Sequence, residues 1–227
     1  MWCVIFAGVP VRPTPGLRAR LAGADRVLAA DAGARSALAC GLPPDLLIGD
    51  LDSIDAETLA ALRRAGTPQE VFPREKAATD GELALTRARA LGALAITVVG
   101  GLGGSRADHG LANVLLLSRP ELAGMRVTLL DNANEVALLR GGEHWDWTGA
   151  PGELVSLLPL GGPAEGVWTR GLRWPLRGDR LEAGSTRGVS NEAVAAAVEV
   201  RLAAGQLLVT RALGPGQADW VVGPGPA

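Results

Sequence analysis

Aspartates in the first half of this chain stand at the points where structural elements are expected to begin or end. Asp31 and Asp50 each follow a short apolar run, and Asp80 and Asp108 come where helical patterns begin. An alternating α/β chain brings the carboxyl ends of its parallel strands to one crevice. Carboxylates gathered there repel one another unless a cation neutralises them. Mg²⁺ with a bound polyphosphate is the usual reason for such a site, so these residues indicate a nucleotide-using transferase of the phosphoryl type.

The densest acidic segment is Gly49-Asp50-Leu51-Asp52-Ser53. In an extended segment, residues two apart point to the same side and lie about 6.6 Å apart along the chain. Two carboxylates placed in this way can flank one Mg²⁺ and leave its other positions for water and phosphate oxygens. The alternative is a turn in which the Asp and Ser side chains cap the next helix. Both interpretations stay open from the residues alone.

Lys76 is the only lysine of the chain and stands four residues before Asp80. Thr79 and Glu82 have the spacing of a capping box, and Asp80 would be stabilised by the dipole of a first helical turn. These structural roles account for Thr79 and Glu82 but not for Lys76. A lysine beside a metal–phosphate site would act as a point charge on a phosphate oxygen. We therefore predict that Asp80 and Lys76 belong to such a site.

A glycine-rich segment, Gly100-Gly101-Leu-Gly103-Gly104, follows a predicted strand and precedes a predicted helix. Glycines let the backbone approach a ligand closely, and the free N–H groups of a helix N-terminus attract anions. The spacing matches neither the dinucleotide fingerprint nor a P-loop. Arg106 could bind a phosphate through two nitrogens, whereas Asp108 could be functional or could only compensate the helix dipole.

The composition of the 227 residues is that of an ordinary globular protein, with 48% hydrophobic residues and a net charge of −2. Nothing in this balance indicates a nucleic-acid partner. Two histidines give Ser-His-Asp or Cys-His catalysis little to build on. We expect Cys3 and Cys40 to be buried, reduced thiols. Neither a signal peptide nor a run of about 20 apolar residues is present, so we expect a cytoplasmic protein without a membrane partner.

Strand and helix patterns alternate up to about residue 132 and predict an α/β domain, a mostly parallel sheet with helices on both faces. The predicted strands are 2–7, 26–30, 46–48, 70–72, 94–99 and 126–130, and the predicted helices are 16–22, 33–40, 55–65, 79–91 and 106–118. Beyond this point, short apolar runs between glycines and prolines predict a C-terminal antiparallel β-sandwich. Its predicted strands are 135–140, 143–147, 153–158, 166–169, 195–202 and 206–209. We expect two domains, 1–132 and 133–227, with a frayed end at 223–227.

Taken in order, the motifs resemble those of the thiamine pyrophosphokinase family. The resemblance covers roughly residues 25–210 and includes the acidic and glycine-rich segments described above. It also includes Gly171-Leu-Arg-Trp174-Pro-Leu and Gly184-Ser-Thr-Arg-Gly-Val-Ser190-Asn191-Glu192. The chain departs from the family pattern at Ala32 and Ala77, and by an extra Ser105 in front of Arg106. Single motifs are weakly specific, but their ordered combination is specific.

The resemblance implies an α/β catalytic domain for ATP and Mg²⁺, followed by a β-sandwich domain for thiamine. It implies transfer of the pyrophosphoryl group of ATP to the hydroxyethyl oxygen of thiamine, with release of AMP. It also implies a homodimer whose active sites lie between the subunits. By matching motifs, the metal and phosphates would be held by Asp50, Asp52 and Asp80, with Asp108 positioning ATP or the attacking hydroxyl. ATP would contact Asp31, Lys76, Thr79, Gly103, Gly104 and Arg106, and thiamine would contact Trp174, Ser190 and Asn191.

Two other functions remain possible from the sequence. One is a pyrophosphokinase that acts on another alcohol, such as a pterin, although the segments around Trp174 and Asn191 argue against it. The other is a nucleotide-binding sensor without catalytic activity. For Trp174 itself, the alternative to a thiamine contact is a tryptophan in the core of the sandwich.

Overall fold

The computed structural model describes residues 1–213 of the chain. The expected frayed end at 223–227 lies outside the described residues. The chain divides into two units, one of Met1–Asn132 and a second that begins at Ala133. Within residues 1–213, no helix has both the length and the apolar character that crossing a membrane requires.

Six parallel strands form the sheet of the first unit. They are β1 (Trp2–Phe6), β2 (Arg26–Ala30), β3 (Leu46–Gly49), β4 (Gln69–Val71), β5 (Ala95–Val99) and β6 (Arg126–Leu130). Their spatial order is β6-β5-β1-β2-β3-β4. The chain therefore builds outward from β1 on one side, then returns to place β5 and β6 on the other. Crevices for ligands form at such a reversal, outside the carboxyl ends of the strands.

Five α-helices connect these strands, and side-chain caps stabilise the N-termini of the first, third and fourth. The helices are α1 (Pro15–Leu21), α2 (Gly33–Ala39), α3 (Ala56–Arg64), α4 (Asp80–Ala90) and α5 (Ala107–Leu116), with a short 3₁₀ helix at Pro120–Leu122. Asp55 caps α3 by accepting a hydrogen bond from the backbone N–H of Thr58 at 2.8 Å. Thr79 caps α4 by accepting from the N–H of Glu82 at 3.2 Å, which is the structural role that the sequence predicted for it.

The second unit holds two four-stranded antiparallel sheets. The strands are β7 (Asn134–Arg140), β8 (His144–Thr148), β9 (Leu154–Pro159), β10 (Ala164–Arg170), β11 (Arg177–Leu181), β12 (Asn191–Glu192), β13 (Ala197–Arg201) and β14 (Gln206–Ala212). One sheet has the order β12-β9-β14-β7 and the other β11-β10-β13-β8. Buried residues of both sheets pack into one apolar core, which makes the unit a sandwich.

The predicted fold class is confirmed, and the predicted elements form within a few residues of their expected bounds. Cys3, Val4, Ile5 and Phe6 of β1 are completely buried, as expected for a strand covered on both faces. The sequence analysis missed β11 and β12. Strand β11 contains two arginines and an aspartate, and β12 is only two residues long, so neither carries a hydrophobic pattern.

Candidate active site

A cavity of about 530 Å³ lies in the first unit, where the chain reverses direction across the sheet. Its wall includes residues that follow β1, β2 and β5, because the carboxyl ends of these three strands are neighbours. The polar side chains on the wall belong to Asp31, Ser53, Arg74, Lys76, Thr79, Asp80, Ser105, Arg106, His109 and Asn113. The sheet topology thus gathers most of the sequence-predicted residues at one place.

Asp31 is the most deeply buried of the acidic residues at this site, with 5% of its surface exposed. Its backbone has φ of +47°, and its N–H is bonded to the carbonyl of Ile48. The Ser53 hydroxyl donates a 2.5 Å hydrogen bond to Oδ2 of Asp31. The buried Oδ1 atom has no hydrogen-bond partner among residues 1–213. A buried acceptor without a partner is costly, so this position favours a cation or a donor from a ligand.

Asp50 and Asp52 are brought together by a turn, so the expected extended segment is wrong. Leu51, between them, has φ of +63°, and the N–H of Asp52 donates to Oδ1 of Asp50 at 3.3 Å. The capping alternative is also wrong, because Asp55 caps α3 and Ser53 bonds to Asp31 instead. The turn places one carboxylate oxygen each of Asp31, Asp50 and Asp52 within 4.8 Å of one another.

Lys76 holds two of the carboxylates. Its Nζ atom lies 2.7 Å from Oδ2 of Asp50 and 3.2 Å from Oδ1 of Asp80. The contact to Asp80 is an ion pair without hydrogen-bond geometry. The hydrogen bond from Lys76 lowers the pKa of Asp50, and the same bond raises the pKa of Lys76. Burial raises the pKa of Asp80, and the charges of Asp50 and Asp31 act in the same direction.

Gly49 permits the close approach of these side chains. A Cβ atom at this position would lie 3.1 Å from Cγ of Asp80 and 3.2 Å from Cβ of Asp31, and the φ of +145° is one that other residues rarely adopt. The glycine at the end of β3 therefore leaves room for Asp80, at the start of α4, to lie beside Asp31.

The glycine-rich segment forms another part of the cavity wall. A Cβ atom on Gly100 would lie 2.2 Å from the carbonyl oxygen of Val9, so only glycine fits there. The side chain of Asn113, on α5, donates a 2.8 Å hydrogen bond to the carbonyl of Gly101. Arg106 binds Asp108 through Nε and Nη2, at 2.9 and 2.5 Å. This pairing lowers the pKa of Asp108 to about 2.

Sequence reasoning assigned no role to Arg74 or Asn113, although both lie on the cavity wall. The Nε atom of Arg74 is 3.3 Å from Oδ2 of Asp52. The sequence signal that could have indicated a role for Arg74 is its position two residues before Lys76 in the same loop. Asp50 and Asp52 do not line the cavity. They contact two residues that do, because Lys76 pairs with Asp50 and Arg74 pairs with Asp52.

In the second unit, the side chain of Asn191 holds the backbone of Trp174. The Trp174 N–H donates to Oδ1 of Asn191 at 3.1 Å, and Nδ2 of Asn191 donates to the Trp174 carbonyl at 2.7 Å. The Trp174 residue is 59% exposed, so the core alternative for it is wrong. The Arg173 guanidinium lies 5.8 Å from the centroid of the Trp174 ring. Ser190 is exposed, has φ of +59°, and donates its N–H to Oγ of Ser156 at 3.0 Å.

The donor set of the first unit fits a divalent metal ion. Asp31, Asp50 and Asp52 provide carboxylate oxygens, which are the ligands that Mg²⁺ prefers in proteins. The unpartnered Oδ1 of Asp31 leaves at least one of these oxygens available. The sequence analysis named Asp50, Asp52 and Asp80 for the metal, whereas the geometry groups Asp31 with Asp50 and Asp52 and pairs Asp80 with Lys76.

A parallel sheet with this cavity and this donor set is typical of nucleotide-dependent transferases. Two family models match the chain, "Thiamin pyrophosphokinase, catalytic domain" at residues 17–129 and "Thiamin pyrophosphokinase, vitamin B1 binding domain" at residues 144–207. Together they match more than three quarters of its length. The chain belongs to the thiamine pyrophosphokinase family, as its motifs predicted.

Individual relatives agree with this assignment. A thiamine pyrophosphokinase of Bacillus subtilis (strain 168) is 28% identical over 207 residues, which are 91% of this chain and 96% of the relative. A crystal structure of a Bacillus subtilis thiamine pyrophosphokinase has a TM-score of 0.84 at 25% identity and covers 95% of this chain and 100% of its own. The corresponding structure from Geobacillus thermodenitrificans has a TM-score of 0.80 at 29% identity and covers 94% and 98%.

Proposed function

We propose that this protein transfers the pyrophosphoryl group of ATP to the hydroxyethyl oxygen of thiamine, and that the products are thiamine diphosphate and AMP. The observation that carries the proposal is the match of both family domains, in order, along one chain. The catalytic-domain match spans the three clustered carboxylates and most residues of the cavity wall, which supports phosphoryl-type transfer in this unit.

In this proposal, Asp31, Asp50 and Asp52 hold Mg²⁺, and Asp80 adds negative charge beside them. A magnesium ion there would neutralise the phosphate oxygens of ATP. The glycine segment with Gly103 and Gly104 offers backbone N–H groups to the nucleotide. The Thr79 hydroxyl accepts a hydrogen bond from the N–H of Glu82, so it can donate its own proton to an oxygen of ATP.

Further roles fall to Arg106 and Lys76 on the cavity wall and to Asp108, which binds Arg106. Arg106 contacts a phosphate, and Lys76 keeps Asp50 and Asp80 ionised and in place. Asp108 positions ATP or the attacking hydroxyl. The hydroxyl attacks the β-phosphorus with AMP as the leaving group, so positioning and charge neutralisation supply most of the rate.

Thiamine is a flat aromatic cation, and the exposed ring of Trp174 offers it a stacking surface. That this ring already attracts the Arg173 guanidinium supports the proposal. Asn191 has its carboxamide bonded to the backbone of Trp174 on both sides, so we assign it the role of positioning this tryptophan. Ser190, in the same exposed segment, is proposed to contact thiamine directly.

A homodimer with active sites at the subunit interface is also part of the proposal. Helix α5 buries none of its residues, and its Leu111 and Leu115 are 67% and 55% exposed. Apolar side chains one helical turn apart on an exposed face are suited to a protein interface. Sedimentation equilibrium would test this, because a monomer at micromolar concentration contradicts it. A cytoplasmic location, expected from the sequence, remains a proposal as well.

The decisive test is incubation of the purified protein with Mg-ATP and one alcohol at a time. We expect AMP and thiamine diphosphate to form when thiamine is present, and no AMP to form without it. AMP formed with a pterin alcohol but not with thiamine would replace the proposed substrate. Binding of ATP without any AMP release would indicate a sensor rather than an enzyme.

A further inference from the structure

We propose that Arg74 binds the terminal phosphates of ATP, and that it leaves Asp52 for them when Mg-ATP enters the cavity. The inference deepens the proposed function and rests on it. The sequence motifs did not mark Arg74, which is the least tightly paired of the basic residues on the cavity wall.

Three lysine or arginine residues line the cavity, and two of them are already committed to carboxylates. Lys76 lies between Asp50 and Asp80, at 2.7 and 3.2 Å, and its side chain is only 13% exposed. Arg106 uses two of its nitrogens for Asp108. A phosphate that recruits Lys76 must compete with both of its partners, and a phosphate that binds Arg106 must share it with Asp108.

Arg74 is held much more loosely. Among residues 1–213 its one ion pair is the 3.3 Å contact from Nε to Asp52, and its side chain is 84% exposed. Both terminal nitrogens of the guanidinium therefore remain available to a ligand. A guanidinium offers paired N–H donors that match the geometry of two phosphate oxygens, which a lysine cannot do.

The partner of Arg74 explains why its position should change on binding. Asp52 belongs to the carboxylate group that fits a divalent cation. An Asp52 that coordinates a cation has less negative charge to offer Arg74, and the guanidinium is itself repelled by a second positive charge nearby. Phosphate oxygens next to the cation then become the strongest acceptors within reach of Arg74.

This arrangement also distinguishes ATP from AMP. ATP carries the β- and γ-phosphates that Arg74 would bind, whereas AMP carries only the α-phosphate. Loss of Arg74 should therefore weaken the binding of ATP and leave the binding of AMP unchanged. A general loss of positive charge at the cavity would weaken both nucleotides.

The experiment compares wild type, Arg74→Ala, Arg74→Lys and a control, Arg64→Ala, by calorimetric titration with ATP and with AMP in excess Mg²⁺. Arg64 is an exposed arginine at the end of α3 and is not part of the cavity wall. We expect Arg74→Ala to weaken the binding of Mg-ATP about tenfold, since a charged hydrogen bond is lost. Arg74→Lys should fall between Arg74→Ala and wild type, and AMP affinity should stay within twofold in all variants.

Three results would overturn the proposal: unchanged Mg-ATP affinity in Arg74→Ala, equal weakening for ATP and AMP, or an equal loss in Arg64→Ala. Thermal melting verifies that each variant is folded. If wild type releases thiamine-dependent AMP but Arg74→Ala binds Mg-ATP normally, only the role of Arg74 fails. If wild type neither binds Mg-ATP nor releases AMP, the proposed function fails, and the role of Arg74 fails with it.

Discussion

Each unit of the protein contains a group of carboxylates around one cation, and the two groups are satisfied to different degrees. In the second unit, Arg211 binds Glu153 at 2.7 Å and Glu135 at 2.9 Å. Glu153 also accepts from the indole N–H of Trp147 and the backbone N–H of Ala150. In the first unit, Lys76 serves Asp50 and Asp80, while Oδ1 of Asp31 has no partner among the described residues.

The difference separates carboxylates whose oxygens are bonded within the protein from carboxylates that remain available to a ligand. Both carboxylate oxygens of Glu153 accept hydrogen bonds from donors within the protein, so this residue is not available to a ligand. In the first unit, three carboxylates lie within 4.8 Å of one another, and burial raises the pKa of the adjacent Asp80. A site that must accept a cation keeps this unfavourable charge in its ligand-free state.

The largest expected effect is a loss of stability when the carboxylate group around Arg211 in the second unit is broken. Glu153→Ala should lower the free energy of unfolding by about 3–5 kcal/mol, because it leaves the buried Arg211 with one carboxylate fewer. Glu182→Ala is the control, since Glu182 pairs with Arg180 on the surface and its loss should cost far less stability. Urea unfolding measures both, and equal losses in the two variants would remove the contrast between the units.

Substitutions in the carboxylate cluster of the first unit should reduce activity and change stability little. Asp52→Asn should reduce thiamine-dependent AMP formation at least a hundredfold, since it removes negative charge from the metal site with little change in volume. Its melting temperature should stay close to that of wild type. Asp146→Asn, an exposed substitution in the second unit, serves as the control. Near-normal turnover of Asp52→Asn would argue strongly against the metal role.

Trp174 tests the exposed aromatic surface of the second unit. Trp174→Ala should raise KM for thiamine about tenfold and leave KM for Mg-ATP unchanged, because a cation–π contact is lost. Trp174→Phe keeps an aromatic face and should retain most of the affinity. Steady-state kinetics with each substrate varied in turn decides this, and an unchanged KM for thiamine in Trp174→Ala would refute stacking on this ring.

The smallest expected effect is that of Asp80→Asn, which should raise the free energy of unfolding, whereas Glu153→Ala should lower it. The raised pKa of Asp80 means that this carboxyl group holds a proton more tightly in the folded protein than in the unfolded chain, where its pKa is about 3.8. Wild type therefore loses stability as the pH rises above 3.8 and through the higher pKa of the folded state. Asp80→Asn avoids this loss and should be slightly more stable than wild type at neutral pH while losing activity. Urea unfolding between pH 4 and 8 should show the gain growing with pH. A variant less stable than wild type at pH 8 would contradict this account of the site.

Much of this molecule could be predicted from its sequence because its local signals agree with its fold. Continuous apolar runs such as 26–30 predict buried parallel strands, and parallel strands place the residues that follow them at one edge. Asp31, Asp80 and the glycine segment were therefore expected at a common site before their distances were known.

The remaining details depend on backbone conformations that residue types do not reveal. The positive φ of Leu51 turns Asp50 and Asp52 toward Asp31, although leucine seldom adopts it. The carboxamide of Asn191 bonds to the backbone of Trp174, 17 residues away, and no spacing rule predicts this pair. Arg74 looked like an ordinary surface arginine until the position of Asp52 was known.

The central claim, that the carboxylates of the first unit hold a divalent ion for a triphosphate, has a direct test. A crystal grown with Mn²⁺ in place of Mg²⁺ and a non-hydrolysable ATP analogue would locate the metal by its anomalous signal. We expect a peak within coordination distance of Asp31, Asp50 or Asp52 and of a phosphate oxygen. A nucleotide bound in this cavity with its metal away from all three carboxylates would contradict the account.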